Sequence, residues 1–166
     1  LMPRGNEANL FEKTILDEYL PQIFPDPNVS DVIKKTIMDF AGKKAVLKND
    51  EIERAQTNPL GYLTWKLRSL GGVGEGEYIK ASDTITELEG PQKNLLQEIM
   101  SLAFSIYQNE PLEEFLTLTR NIQRMGRLLP PPLPKRISPH RILSKSTEDL
   151  VIRSEGLGPG PGVQPP

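Results

Sequence analysis

The residues from Pro131 to Arg136 carry the clearest binding motif of the chain, reading Pro-Pro-Leu-Pro-Lys-Arg. Pro131 and Pro134 are three residues apart. Because a polyproline II helix has three residues per turn, both rings lie on one edge and fit paired aromatic grooves. A basic residue just beyond the second proline suits the acidic pocket of a Src-homology-3-type domain. The spacing predicts a partner-binding motif made of Pro131, Pro132, Leu133, Pro134 and Arg136.

The same proline run has a second interpretation, as a stiff spacer that ends the helical part of the chain. Each proline fixes φ near about −65° and removes a backbone N–H donor, so a helix cannot run through the segment. Nine of the 16 prolines follow residue 129. We therefore expect a helical domain over residues 1–128 and a Pro-rich, basic tail over residues 129–166 that is extended or disordered.

Three serines of the tail are candidate phosphorylation sites. Ser138 precedes a proline, Ser144 follows an arginine at the third position, and Ser146 begins an acidic Ser-Thr-Glu-Asp run. Residues 115–147 contain seven basic and no acidic side chains, a net charge of +7. A phosphate group adds roughly two negative charges, so its addition here would change any contact that the basic stretch makes. The alternative for Ser146 is that it begins a short helical turn.

The basic stretch also has to be explained in its own right. Arg120, Arg124 and Arg127 are spaced so that they share one helical face. The ordinary interpretation is a solvated charged face. Contact with an anionic membrane surface, or with the chain's own acidic residues 74–114, which carry a net charge of −7, is the alternative. Nucleic acid binding is disfavoured because no aromatic side chains are interleaved for base stacking. No apolar run reaches the roughly 18 residues of a membrane span, so no transmembrane segment is expected.

Side chains that could perform catalysis are scarce. The chain has no cysteine and a single histidine, His140, which lies in the proline-rich tail. Cysteine nucleophiles, histidine-based triads and thiolate metal sites therefore find no support. A pair of tuned carboxylates stays open, although capping and solvation explain the acidic residues as well. We expect a non-enzymatic protein with no cofactor and no metal. Trp65 is expected to be a core or interface anchor rather than a ligand-stacking residue.

The residues upstream of the proline run predict the helices that carry these groups. Apolar side chains recur at helical spacing over residues 8–20, and Pro21 is expected to end this first helix. Ser30 is expected to cap the second helix, and Asn58-Pro59 to open a later one. A final helix is expected over residues 112–125.

Two further segments complete the prediction. The clearest helix covers residues 91–108, where the spacing of the apolar residues indicates the central, most buried element. Residues 71–90 are harder to assign: Tyr78-Ile79 is expected to be briefly extended, and residues 82–88 to form a short helix. We find no strand-rich segment and no repeat. The predicted fold is all-α, a compact bundle of five or six helices followed by the tail.

These features together predict a protein–protein interaction module, an adaptor or scaffold whose tail binds its partner as a polyproline II motif in the cytoplasm. One alternative is a secreted precursor cut at dibasic sites such as Lys34-Lys35, Lys43-Lys44 and Lys135-Arg136. Asn28-Val29-Ser30 would then be a glycosylation sequon. Another alternative is a structural subunit of a larger assembly or virion that docks through its tail.

Overall fold

The computed structural model describes residues 6–72 and 76–130, and the regular structure of these residues is entirely helical. This confirms the predicted all-α class. The described chain forms seven helices: α1 in three consecutive segments (Glu7–Phe11, Glu12–Leu16 and Asp17–Ile23), α2 (Pro27–Ala41), α3 (Asn49–Thr57), α4 (Pro59–Gly71), α5 (Gly76–Thr86), α6 (Gly90–Tyr107) and α7 (Leu112–Arg127). Most of the predicted tail lies outside the described residues.

Helix α1 continues through Pro21 to Ile23, so the prediction that Pro21 ends it is wrong. Its middle segment, Glu12–Leu16, is a π-helical turn that lies directly before the segment with the proline. Tyr19, Leu20 and Ile23 are all buried. Burial of side chains on both sides of the proline therefore outweighs the loss of one backbone hydrogen bond.

Helix α2 begins four residues earlier than predicted, because Asp26 rather than Ser30 is its N-cap. The Asp26 Oδ1 atom accepts a hydrogen bond from the backbone N–H of Asn28 at 3.0 Å, and Pro27 occupies the first turn. Ser30 is buried within the helix. The second Asp26 oxygen pairs with the Lys80 ammonium at 2.9 Å, so the start of α2 is tied to α5.

The predicted start of α4 is confirmed, whereas α5 differs from its prediction. Asn58 Oδ1 accepts the Gly61 backbone N–H at 3.0 Å, and Pro59 follows the cap. Tyr78 and Ile79 are helical, because α5 runs continuously over Gly76–Thr86. The contact between α4 and α5 is the most extensive contact between two helices in the described residues. That contact orders a segment whose local sequence is ambiguous.

Helix α6 is the central element of the bundle, as predicted. It contacts α1, α2, α3, α4 and α7. Its buried residues are Leu95, Leu96, Ile99, Met100, Leu102, Ala103, Phe104, Ser105 and Ile106. A helix that is buried over so much of its circumference fixes the positions of its neighbours. Helix α7 packs along α6, as expected for two antiparallel helices joined by the short connection at residues 108–111.

Candidate interaction surface

The residues of the predicted tail motif lie outside the part of the chain that the structure describes, which ends at Pro130. These are the partner-binding candidates Pro131, Pro132, Leu133, Pro134 and Arg136 and the phosphorylation candidates Ser138, Ser144 and Ser146. Their roles stay predictions. The described residues offer two other surfaces, one on α7 and one formed by α3 and α4.

Helix α7 presents its basic face to solvent, as the spacing of its arginines predicts. Arg120, Arg124 and Arg127 are exposed, whereas Phe115 and Ile122 are buried on the side that faces the bundle. No ion pair joins these three arginines to a carboxylate within the described ranges 6–72 and 76–130. The face is a basic surface stripe that a solvated helix explains without a ligand.

The second surface centres on Trp65, which is the only tryptophan of the chain. Helix α4 buries Leu63 and Leu67 against the bundle and turns Trp65 outward, where 39% of its surface is exposed. Large aromatic side chains that are partly exposed are more typical of binding surfaces than of ordinary protein surface. Trp65 therefore does not belong to the buried core, and its role as an interface anchor stays a prediction.

Trp65 is the outer end of a series of aromatic contacts that we call the aromatic ladder. Ring centroids are 6.3 Å apart for Phe104 and Tyr107, 6.4 Å for Tyr107 and Phe40, 5.9 Å for Phe40 and Tyr62, and 5.9 Å for Tyr62 and Trp65. The ladder runs from α6 through α2 to α4. Such ring contacts add stability beyond the burial of apolar surface area, so they stabilise the position of the Trp65 ring.

Two cations lie against the exposed tryptophan. The Arg54 guanidinium carbon is 4.6 Å from the centroid of the Trp65 ring, and the Lys66 ammonium is 5.8 Å from it. Both distances are in the range of cation–π interactions. We call Arg54, Trp65 and Lys66 the Trp65 patch. Arginine and tryptophan are the residues most enriched among those that dominate binding energy in protein interfaces.

Glu51 partly compensates the charge of the patch. Its Oε2 atom is 3.7 Å from the Lys66 ammonium, and its Oε1 atom accepts the Lys48 backbone N–H at 3.0 Å. Within the described part of the chain, by contrast, no carboxylate forms an ion pair with Arg54. The uncompensated positive charge of the Trp65 patch therefore resides mainly on Arg54.

The tyrosine beneath Trp65 does not have the properties of a catalytic group. The Tyr62 side chain is fully buried, and its hydroxyl has no hydrogen-bond partner among the described residues. Burial, together with the negative charge of Glu51 and the neighbouring Tyr107, raises the pKa of Tyr62 to about 12. The hydroxyl is therefore protonated at neutral pH and cannot serve as a base or nucleophile there.

The Trp65 patch is a surface feature that the sequence did not reveal. Arg54 and Trp65 lie on different helices, and only the turn at Thr57–Pro59 brings the two side chains together. Cation–π pairs have no fixed sequence spacing across a helix–helix connection, so no motif marks them. The one available signal was a single tryptophan on an otherwise amphipathic helix.

The described residues contain neither a candidate metal site nor a candidate membrane-spanning helix. Within residues 6–72 and 76–130, no group of three or more His, Asp or Glu side chains could hold a metal ion. No helix among these residues combines the length and the apolar character that crossing a bilayer requires. Comparison of the chain with protein-family models, curated proteins and solved structures gives no match.

Proposed function

We propose that this protein is a non-enzymatic protein–protein interaction module, an adaptor or scaffold with a helical domain and a proline-rich tail. The observation that supports this proposal most directly is the Trp65 patch. A tryptophan that is 39% exposed, supported from below by a buried tyrosine and flanked by an arginine, has the composition of an interface anchor. We place the activity in the cytoplasm as part of the same proposal, with secretion as the alternative.

The tail contributes the second binding element of the proposal. Pro131 and Pro134 would dock into the aromatic grooves of a Src-homology-3-type domain, and Arg136 would pair with its acidic pocket. A polyproline II segment is already extended before binding, so little conformational entropy is lost when it docks. Phosphorylation of Ser138, next to the motif, would place negative charge beside Arg136 and weaken that contact.

The test uses the full chain and a panel of purified Src-homology-3 domains, with binding measured by biolayer interferometry. We expect at least one domain to bind the wild type and to lose binding with Arg136→Glu and with the double substitution Pro131→Ala/Pro134→Ala. Arg141→Glu is the matched control, because it makes the same charge change five residues beyond the motif, and it should retain binding. No binding by any domain, or equal binding by all variants, would refute the role of the tail.

The precursor hypothesis predicts secretion and cleavage after Lys44 or Arg136 instead. Lys34 of its first dibasic pair lies within α2 and forms ion pairs with Glu12 at 3.1 Å and Asp17 at 2.7 Å. Processing proteases bind extended chain, which disfavours that pair as a cleavage site. Cleavage after Lys44 would also separate α1 and α2, with their core residues, from the remaining helices.

The remaining alternative is a structural subunit of a larger assembly. A structural subunit would show no binding to free Src-homology-3 domains.

A further inference from the structure

The chemistry of the Trp65 patch indicates the class of partner that it is suited to bind. Trp65 rests on Tyr62, which is fully buried, so the exposed part of the ring is held in place before a partner arrives. A surface that is ordered in advance loses less entropy on binding than one that must be ordered by its partner. The exposed ring thus offers a flat apolar contact of fixed orientation.

Arg54 differs from several other cations of the helical domain, which form ion pairs with carboxylates. Arg68 pairs with Asp83, Lys80 with Asp26, and Lys66 with Glu51. Arg54 has Asp50 one turn earlier on α3, at the spacing that favours an ion pair, yet the structure forms no ion pair between them. Its guanidinium lies over the Trp65 ring instead.

A guanidinium in this position is suited to bind a carboxylate. Arginine has five N–H donors in a planar fork that matches the two oxygens of a carboxylate, and contact with an aromatic face does not use these donors. The charge is compensated by no described carboxylate, so an incoming anion would not have to displace one.

We propose that Arg54 and Trp65 form a docking site for an acidic segment of a partner protein. An aspartate or glutamate of that segment would pair with the Arg54 guanidinium, and an adjacent apolar side chain would pack on the exposed part of the Trp65 ring. This assignment rests on the proposed function and specifies the partner of the helical domain. The positive charge of Arg54 is complementary to the negative charge of such a segment. The carboxylate of Glu51 beside Lys66 disfavours binding of the highly charged surface of a nucleic acid or a membrane.

The experiment is a selection of peptides on the full chain. A library of random dodecapeptides displayed on phage is selected against the wild type, with counter-selection against Arg54→Gln. Binding of the recovered peptides is then followed through the fluorescence of Trp65, which reports on this site alone because the chain has no other tryptophan. Vesicles containing phosphatidylserine and a single-stranded oligonucleotide are titrated in parallel.

We expect the recovered peptides to combine acidic and apolar residues, to shift the Trp65 emission to shorter wavelength, and to bind Arg54→Gln roughly 10- to 100-fold more weakly, as the loss of a charged hydrogen bond implies. Arg68→Gln is the matched control on α4 and should bind as the wild type does. Far-UV circular dichroism of both variants excludes unfolding as the cause.

Three outcomes would overturn the proposal: recovery of no peptide, recovery of peptides that bind Arg54→Gln equally well, or an Arg54-dependent response to vesicles or oligonucleotide alone. A failure here is distinguishable from a failure of the tail motif, because Arg136→Glu leaves the Trp65 patch intact and Arg54→Gln leaves the proline motif intact.

Discussion

Two tyrosines of the aromatic ladder should respond in opposite ways to the same chemical change. The Tyr107 hydroxyl accepts a hydrogen bond from the Leu47 backbone N–H at 2.9 Å. The Tyr62 hydroxyl is buried and has no hydrogen-bond partner in the described part of the chain. Replacement by phenylalanine removes only the hydroxyl and keeps the ring, so each variant isolates the contribution of one polar group.

The expected magnitudes follow from these environments. Burying a hydroxyl without a hydrogen bond costs about 1–3 kcal/mol, so Tyr62→Phe should leave the free energy of unfolding unchanged or raise it by up to about 2 kcal/mol. Tyr107→Phe leaves the Leu47 N–H without its acceptor and should lower the free energy of unfolding by about 1–2 kcal/mol. For a domain of this size, each kcal/mol corresponds to roughly 3–5 °C in Tm.

The assay is urea unfolding of both full-length variants, followed by far-UV circular dichroism and by Trp65 fluorescence. We expect Tyr62→Phe to unfold at or above the wild-type midpoint and Tyr107→Phe clearly below it. A loss of stability in Tyr62→Phe equal to that in Tyr107→Phe would refute the reasoning, since it would mean that the Tyr62 hydroxyl makes a favourable hydrogen bond.

The pH dependence gives an independent check on Tyr62. Its pKa is raised from 10.0 to about 12, chiefly by burial. A pKa that is higher in the folded than in the unfolded state contributes stability that is fully present below about pH 10 and is lost as the pH rises towards 12. Two pKa units correspond to roughly 2–3 kcal/mol. The wild type should therefore lose stability over this interval, and Tyr62→Phe should lose correspondingly less.

Two further substitutions test how the helices are joined. Gly126→Ala should destabilise the domain by about 1–3 kcal/mol in thermal unfolding, although alanine favours helices, because the new Cβ would clash with the Tyr19 ring. Gly76→Ala, which has open space around it, is the control. Equal stability of the two variants would contradict this packing argument. Asp26→Ala should lower stability through loss of the α2 cap, whereas Asp26→Asn should keep the cap and lose only the Lys80 ion pair. The Lys80 hydrogen bond lowers the pKa of Asp26. The wild type should therefore have a higher free energy of unfolding than Asp26→Asn above about pH 4, and this difference should vanish as the pH falls through the folded-state pKa. A difference that persists in strong acid would argue against the ion pair.

The parts of the fold that local sequence predicted are those where short-range signals and burial agree. The apolar spacing of α6 reflects its central position, and Asn58-Pro59 caps α4 through a hydrogen bond within the same turn. Asp26-Pro27 is the same kind of signal at the start of α2, although Ser30, four residues later, is also of a type that frequently caps helices. A side chain competes with its neighbours for the cap position, and the proline indicates which of them occupies it.

The remaining errors occur where distant contacts outweigh local preference. Pro21 would end an isolated helix, yet buried side chains on both sides of it keep α1 helical. Tyr78 and Ile79 favour extended backbone by residue type, yet the packing of α5 on α4 makes them helical. Neither effect can be read from a window of neighbouring residues, because the stabilising partners are far away in sequence.

The two proposed binding elements also differ in whether they depend on local sequence or on contacts between distant residues. A polyproline motif requires no folded domain, so residues 131–136 can be recognised directly in the sequence, whereas the Trp65 patch exists only when α3 and α4 pack together. If both proposals are right, the chain would bind a groove-type domain through one element and an acidic segment through the other. If both belong to one complex, the second contact is intramolecular and strengthens overall binding well beyond either contact alone. Weak individual affinities at Arg136 and Arg54 would then be sufficient for an adaptor, and loss of either arginine would weaken the whole complex by more than its own contact contributes.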